Sequence, residues 1–152
     1  MQNNPDINQL AFEFFKEFSR SEYALKAAGF HSGDGDAKAS WDKFAKRVEG
    51  LVQTPNSVEL QNAIDFVIEH PPKKQKIVNG KIEWCDVSPN QPSKAKNLLS
   101  YVRRVRNNLF HGGKFNPHWV EPARSKNLII NCLFILKACI EHVDSTRNAR
   151  RG

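Results

Sequence analysis

Hydrophobic residues recur at helical spacing through the amino-terminal half of the chain. From about Asp6 to Phe30 they return at three- and four-residue steps, which predicts an amphipathic helix with one buried stripe. Similar patterns predict a short helix that is capped by Ser40 and ends at Gly50, and another to about His70 that Asn56 opens in what resembles a capping box. Pro71 and Pro72 end the third helix, because proline cannot continue the helical hydrogen bonds.

The pattern changes between Lys76 and Asp86, where short β-prone runs flank Asn79-Gly80. An Asn-Gly pair between such runs predicts a tight hairpin. Two further helices are predicted, one from about Ser93, which can cap it, to His111 and one from Pro122 to about His142. The last helix is apolar nearly all round, so it is either the central element of a bundle or part of a subunit interface.

The predicted fold is an all-α, up-and-down helical bundle with a small β-hairpin insertion around Asn79-Gly80. The 152 residues are the length of one domain, so we interpret 1–152 as a single domain with a disordered basic tail at 144–152. No apolar run reaches the roughly 20 residues of a membrane span, and the first residues lack the regions of a signal peptide. We therefore expect a cytoplasmic protein that does not bind membranes.

Cysteine usage and charge narrow the function classes. The three cysteines include no Cys-x-x-Cys pair, which argues against a disulfide framework and a zinc site. Cys132 and Cys139 lie two helical turns apart, so we expect them to pack in the core. Lys and Arg number 23 against 16 acidic residues, giving a net charge of +7. That balance favours polyanionic partners, nucleic acid first.

Two charged side chains fall on apolar helix faces. Arg106 lies in the apolar sector of its helix, where a bare charge is costly unless it is paired or lines a cleft. Glu22 lies on the apolar stripe of the first helix and would meet Arg106 if the two helices face each other. Such an ion pair would explain both residues without any chemistry.

His111 follows Arg106 by five residues and precedes Gly112-Gly113. In an unbroken α-helix five residues turn by about 140°, so the two side chains would splay apart. The glycine pair lets the backbone depart from helical geometry there. A purely structural role remains the alternative, because a histidine at a helix end often contacts the last carbonyls.

The segment Arg106-Asn107-Asn108-Leu109-Phe110-His111 resembles the Arg-polar-x-x-x-His motif of the HEPN superfamily, helical domains found in many RNA-cleaving toxins and defence proteins. The motif closes a long helix, and a glycine pair and an apolar last helix follow it. The Phe-rich first helix, with the sequence Glu-Tyr-Ala-Leu-Lys at residues 22–26, is also similar to the opening helix of that family. The resemblance covers about residues 6 to 142, and the hairpin is an insertion in the plain four-helix bundle.

The resemblance implies a metal-independent endoribonuclease of toxin or defence type. His111 would act as general base or acid in the attack of the ribose 2′-OH, since imidazole titrates near neutral pH. Arg106 would hold the phosphate and Asn107 would orient the histidine. The products would be 2′,3′-cyclic phosphate and 5′-hydroxyl ends. The resemblance further implies RNA as substrate, a homodimer whose two motifs face one cleft, and no cofactor or metal; an antitoxin or other regulatory protein is a further candidate partner.

Cations near the motif extend this hypothesis. Arg103, Arg104 and Lys114 are predicted to line a phosphate-binding face, or else to form ordinary solvated surface. The basic run at 73–76 would extend an RNA path or merely aid solubility. The pair at 118–119 would stack on a base or cover the bundle end.

Two other functions stay open. One is a catalytically silent HEPN-like module that binds RNA, nucleotide or a protein partner. The other is a small helical adaptor with no nucleic-acid role.

Overall fold

The computed structural model describes residues 6–113 and 122–151. These residues form a mostly helical structure with one small antiparallel sheet, which confirms the predicted helical class and hairpin. The elements in chain order are α1 (Ile7–Ala27), α2 (Trp41–Gln53), α3 (Val58–Glu69), β1 (Lys74–Val78), β2 (Lys81–Cys85), α4 (Lys94–Asn108), a π-helical turn (Leu109–Gly113) and α5 (Pro122–Arg151).

Serine hydroxyls cap three of the helices. Ser40 accepts from the backbone N–H of Lys43 at 3.3 Å and Ser93 from that of Lys96 at 3.1 Å, which confirms both predicted caps. The prediction of Asn56 as the cap of α3 is wrong by one residue. Ser57 has the extended backbone of a cap residue, and its hydroxyl accepts from the N–H of Leu60 at 3.1 Å.

The hairpin forms where the Asn-Gly pair predicts it. Asn79 and Gly80 have φ angles of 52° and 78°, the left-handed conformation that a two-residue type I′ turn requires. Val78 pairs with Lys81 across this turn, and the antiparallel register continues to Lys74 opposite Cys85.

Helices α4 and α5 form the centre of the bundle, since each of them packs against all four of the other helices. The buried side chains of α5 include Cys132 and Cys139, and burial raises the pKa of both thiols to about 12, so the core prediction is confirmed. Helix α5 continues to Arg151, through the segment predicted to be disordered. Among the described residues, no helix combines the length and the apolarity of a membrane span.

The central position of α5 predicts unequal costs for two neighbouring substitutions. Leu136 is 0% exposed, so Leu136→Ala should lower the free energy of unfolding by about 2–5 kcal/mol through lost packing and a cavity. The adjacent Lys137 is exposed, and Lys137→Ala should stay within about 0.5 kcal/mol of the parent. Urea unfolding of both variants measures the difference. Equal costs would contradict the assignment of α5 as a core helix.

Candidate functional site

A polar cleft of about 380 Å³ lies between α4 and the hairpin. Strand β1 contributes one wall, and α4 with the following π-helical turn contributes the other. The lining residues are Lys74, Gln75, Ser100, Arg103, Arg104, Asn107, Asn108 and His111. This set holds cationic and neutral polar side chains and no carboxylate, so the cleft suits an anionic ligand.

Side chains of α4 hold the hairpin in place. Nη1 of Arg104 donates to the carbonyl of Pro72 at 3.1 Å and to that of Val87 at 2.7 Å, one on each side of the hairpin. Nδ2 of Asn108, one helical turn later, donates to the carbonyl of Lys73 at 2.7 Å. The same helix face therefore fixes the base of the hairpin and shapes the cleft.

The backbone that enters the hairpin explains the need for these donors. The carbonyl of Pro71 accepts from Nη2 of Arg124 on α5 at 2.8 Å, so three successive carbonyls each accept from a different side chain. Pro72 is buried, and a buried carbonyl without a partner costs free energy. These side chains supply the hydrogen-bond donors that strand pairing does not provide before β1 begins at Lys74.

Arg104 thus has a structural task that the sequence does not reveal. It lines the cleft as predicted, but its guanidinium is committed to two carbonyls and lies 5.4 Å from the centre of the Tyr101 ring. Burial lowers the pKa of this guanidinium, partly opposed by Tyr101. Arginine keeps its charge at any physiological pH, so Arg104 adds positive potential while it holds the hairpin.

Glu22 forms a hydrogen bond with Trp41 instead of an ion pair with Arg106, and the Trp41 ring in turn contacts Arg103. Its Oε2 accepts from the indole Nε1 of Trp41 at 3.1 Å, and the guanidinium of Arg103 lies 6.0 Å from the centre of that indole ring. No ion pair joins Glu22 to Arg106, both of which the structure describes, so that expectation is wrong. The reason is geometric: Trp41 of α2 stacks on Phe18 of α1, and there its indole N–H donates to the carboxylate of Glu22.

Arg106 lies beside the cleft rather than in its lining. Its guanidinium is 5.8 Å from the ring centre of Phe18 on α1 and 5.0 Å from that of Phe110. Nη1 donates to Oδ1 of Asn107 at 2.9 Å. Asn107 therefore bonds the arginine, whereas the sequence predicts that it orients His111.

His111 is exposed and lines the cleft from the π-helical turn. The helix leaves α geometry at Leu109, before the glycine pair that the sequence identifies as the point of departure. The ring of His111 meets that of Phe110 edge to face, with 5.1 Å between centres. Single π-helical turns are frequent at functional sites.

The predicted and observed sites overlap in part. The cleft contains Arg103, Arg104, Asn107 and His111, whereas Arg106 and Glu22 are not among its lining residues. Lys74 and Gln75 belong to the predicted basic run at 73–76, so part of that run lines the cleft. Ser100 and Asn108 also line the cleft and were not predicted from the sequence. The position of Asn108, one helical turn from Arg104 on the same face of α4, is the signal that could have identified it. Lys114 and the pair at 118–119 lie outside the described residues.

The described residues contain no group of three or more His, Cys, Asp or Glu side chains placed to hold a metal ion. Comparisons with protein-family models, with curated proteins and with solved structures found no match for this chain.

The hydrogen bonds of Arg104 predict a local effect of its removal. Arg104→Ala should raise the amide hydrogen-exchange rates of β1 and β2 by about tenfold or more, since each lost bond from a charged donor is worth about 1.5–3 kcal/mol. Core amides of α5 should be much less affected. The matched variant Arg103→Ala removes an exposed arginine that makes none of these carbonyl bonds, and it should leave hairpin exchange unchanged. Equal exchange in the two variants would contradict the assigned role.

Proposed function

We propose that this protein is a HEPN-like, metal-independent endoribonuclease whose substrate backbone enters the cleft between α4 and the hairpin. One observation carries the proposal: His111 lines a cleft with Lys74, Arg103 and Arg104, and none of the lining residues that the structure describes is acidic. Imidazole is the usual general acid–base group at neutral pH. Lys and Arg side chains supply most contacts to nucleic-acid phosphates.

The proposed chemistry needs only groups of the protein and the RNA. The ribose 2′-oxygen attacks the adjacent phosphorus, the bond to the 5′-oxygen breaks, and the products are a 2′,3′-cyclic phosphate and a 5′-hydroxyl. An imidazole takes the proton from the 2′-hydroxyl, and an acid donates one to the leaving oxygen. The HEPN resemblance implies a homodimer, in which two copies of His111 would share these tasks. DNA lacks the 2′-hydroxyl and would resist cleavage.

The position of Arg106 refines the assignment of phosphate contacts. Lys74 and Arg103 are exposed and line the cleft, so we assign them the first contacts with phosphate. Arg106 reaches this cleft through its hydrogen bond to Asn107. In one protomer its part in the proposal is to position Asn107.

The position of Arg106 favours a second candidate function. If the arginine of the motif must touch the phosphate for cleavage, a chain with Arg106 against Phe18 and Phe110 binds RNA without cutting it. This candidate is the catalytically silent HEPN-like RNA-binding module.

Cleavage by His111 is the central prediction. Wild-type protein should cut single-stranded RNA in the presence of EDTA, leave DNA intact and produce 2′,3′-cyclic phosphate ends. His111→Ala should lower the cleavage rate by about 10²–10⁴-fold, while RNA affinity changes little because positive charge supplies most of it. His31→Ala serves as control, since His31 lies in the loop before α2. Mapping of RNA ends and filter binding measure both quantities.

The outcomes separate the two candidates. Binding without cleavage by the wild-type protein supports the silent module and contradicts the enzyme. Cleavage that survives His111→Ala contradicts the assigned role of this histidine. Absence of RNA binding at low salt contradicts both candidates.

Phosphate contact by Lys74 predicts a change in salt dependence. The logarithm of the RNA association constant should fall linearly with the logarithm of salt concentration, by about 0.7 per phosphate contacted on a single strand. Lys74→Gln should therefore reduce the magnitude of the slope by about 0.7. Lys137→Gln removes the same charge from α5, outside the cleft lining, and should leave the slope unchanged. Identical slopes for the two variants would exclude Lys74 as a contact.

A further inference from the structure

We infer that Phe110 is a stacking platform for the nucleobase next to the phosphate bound in the cleft. This inference rests on the proposed RNA substrate and adds a base-binding subsite to it. Helical spacing places Phe110 in the same apolar sector of the helix as Leu99. The structure nevertheless leaves 58% of the surface of Phe110 exposed.

The exposure of Phe110 contrasts with the burial of two phenylalanines of α1. Phe14 and Phe18 of α1 are 0% and 4% exposed, and they pack against each other with ring centres 6.0 Å apart. The π-helical turn begins at Leu109, which is buried, and the next side chain points outward. A large aromatic ring is therefore presented to solvent at the end of α4, next in the chain to the cleft residue His111.

Phe110 is nevertheless held in place. The guanidinium of Arg106 lies over its ring at 5.0 Å from the centre, and Phe15 of α1 meets it edge to face at 6.5 Å between centres. Cation–π and aromatic contacts of this kind favour one ring orientation. A fixed ring loses little conformational entropy when a ligand stacks on it.

The neighbouring cleft identifies the chemistry of the ligand. The ring of His111, a lining residue, is centred 5.1 Å from that of Phe110. A ligand that places phosphate among Lys74, Arg103 and His111 and extends one flat ring past His111 would reach Phe110. A single-stranded nucleotide has this form, since its base is unpaired and one sugar joins it to the phosphate. Aromatic side chains beside basic grooves bind single strands by such stacking.

A thermodynamic cycle between protein and base tests the inference. The probe is a short single-stranded oligonucleotide with 2′-O-methyl riboses, which prevents attack by the 2′-oxygen, and an abasic nucleotide is moved along it. Phe110→Ala should weaken binding of the intact probe by about five- to a hundredfold. At one abasic position, wild-type affinity should fall to that of Phe110→Ala, and the variant should lose nothing more, because the two changes remove the same contact.

Three further variants guard against a folding artefact. Phe110→Trp keeps an aromatic face and should retain affinity, whereas Phe110→Leu keeps apolar packing against Phe15 and should bind as weakly as the alanine variant. Phe134→Ala removes another exposed phenylalanine, 42% exposed on α5, and should bind as the parent does. Circular dichroism establishes that each variant is folded.

The outcomes distinguish this inference from the function on which it rests. If the wild-type protein binds the probe, Lys74→Gln weakens binding and Phe110→Ala does not, the stacking platform is wrong and the RNA cleft stands. Additive losses at every abasic position also overturn the platform. If the wild-type protein binds no oligonucleotide, the proposed function fails and the platform fails with it.

Discussion

The hydrogen bonds that α4 donates to the backbone at the base of the hairpin are the constraint on which the cleft depends. Pro71 and Pro72 end α3 and lack the N–H groups that would extend the strand ladder, yet their carbonyls still need donors. Arg104 satisfies one carbonyl on each side of the hairpin and Asn108 satisfies a third. A two-stranded hairpin has little stability alone, so these bonds turn a local element into one wall of a site.

This arrangement gives the neighbouring arginines different duties. Arg104 points towards the hairpin, and Arg103, one residue earlier and about 100° around the helix, lies exposed over Trp41. Glu22 bonds the indole of Trp41 and so orients the ring beneath Arg103. Glu22, which the sequence pairs with Arg106, therefore supports the cleft residue Arg103 through the ring of Trp41. Glu22 is itself not among the described lining residues of the cleft.

Local patterns were sufficient for the elements and insufficient for their contacts. The Asn-Gly pair, Ser40, Ser93 and Pro122 act within a few residues of themselves, so the sequence places the hairpin and the starts of α2, α4 and α5 correctly. Ser57 and Asn56 are both good cap residues, and spacing alone favoured the wrong one. The partners of Arg104 and Glu22 lie on elements distant in the chain, and helical periodicity specifies a face without specifying what packs on it.

The π-helical turn shows why spacing in a motif does not fix side-chain positions. Arg106 precedes the turn, and its guanidinium lies against Phe18 of α1 and against Phe110 of the turn. His111 lies within the turn, and its side chain reaches the cleft on the hairpin side. Two residues five apart thus serve adjoining surfaces, with Phe110 and Asn107 between them. A phosphate in the cleft of one protomer would meet Lys74 and Arg103 beside the imidazole, so those two cations, rather than Arg106, carry the electrostatic part of the proposed chemistry in each subunit.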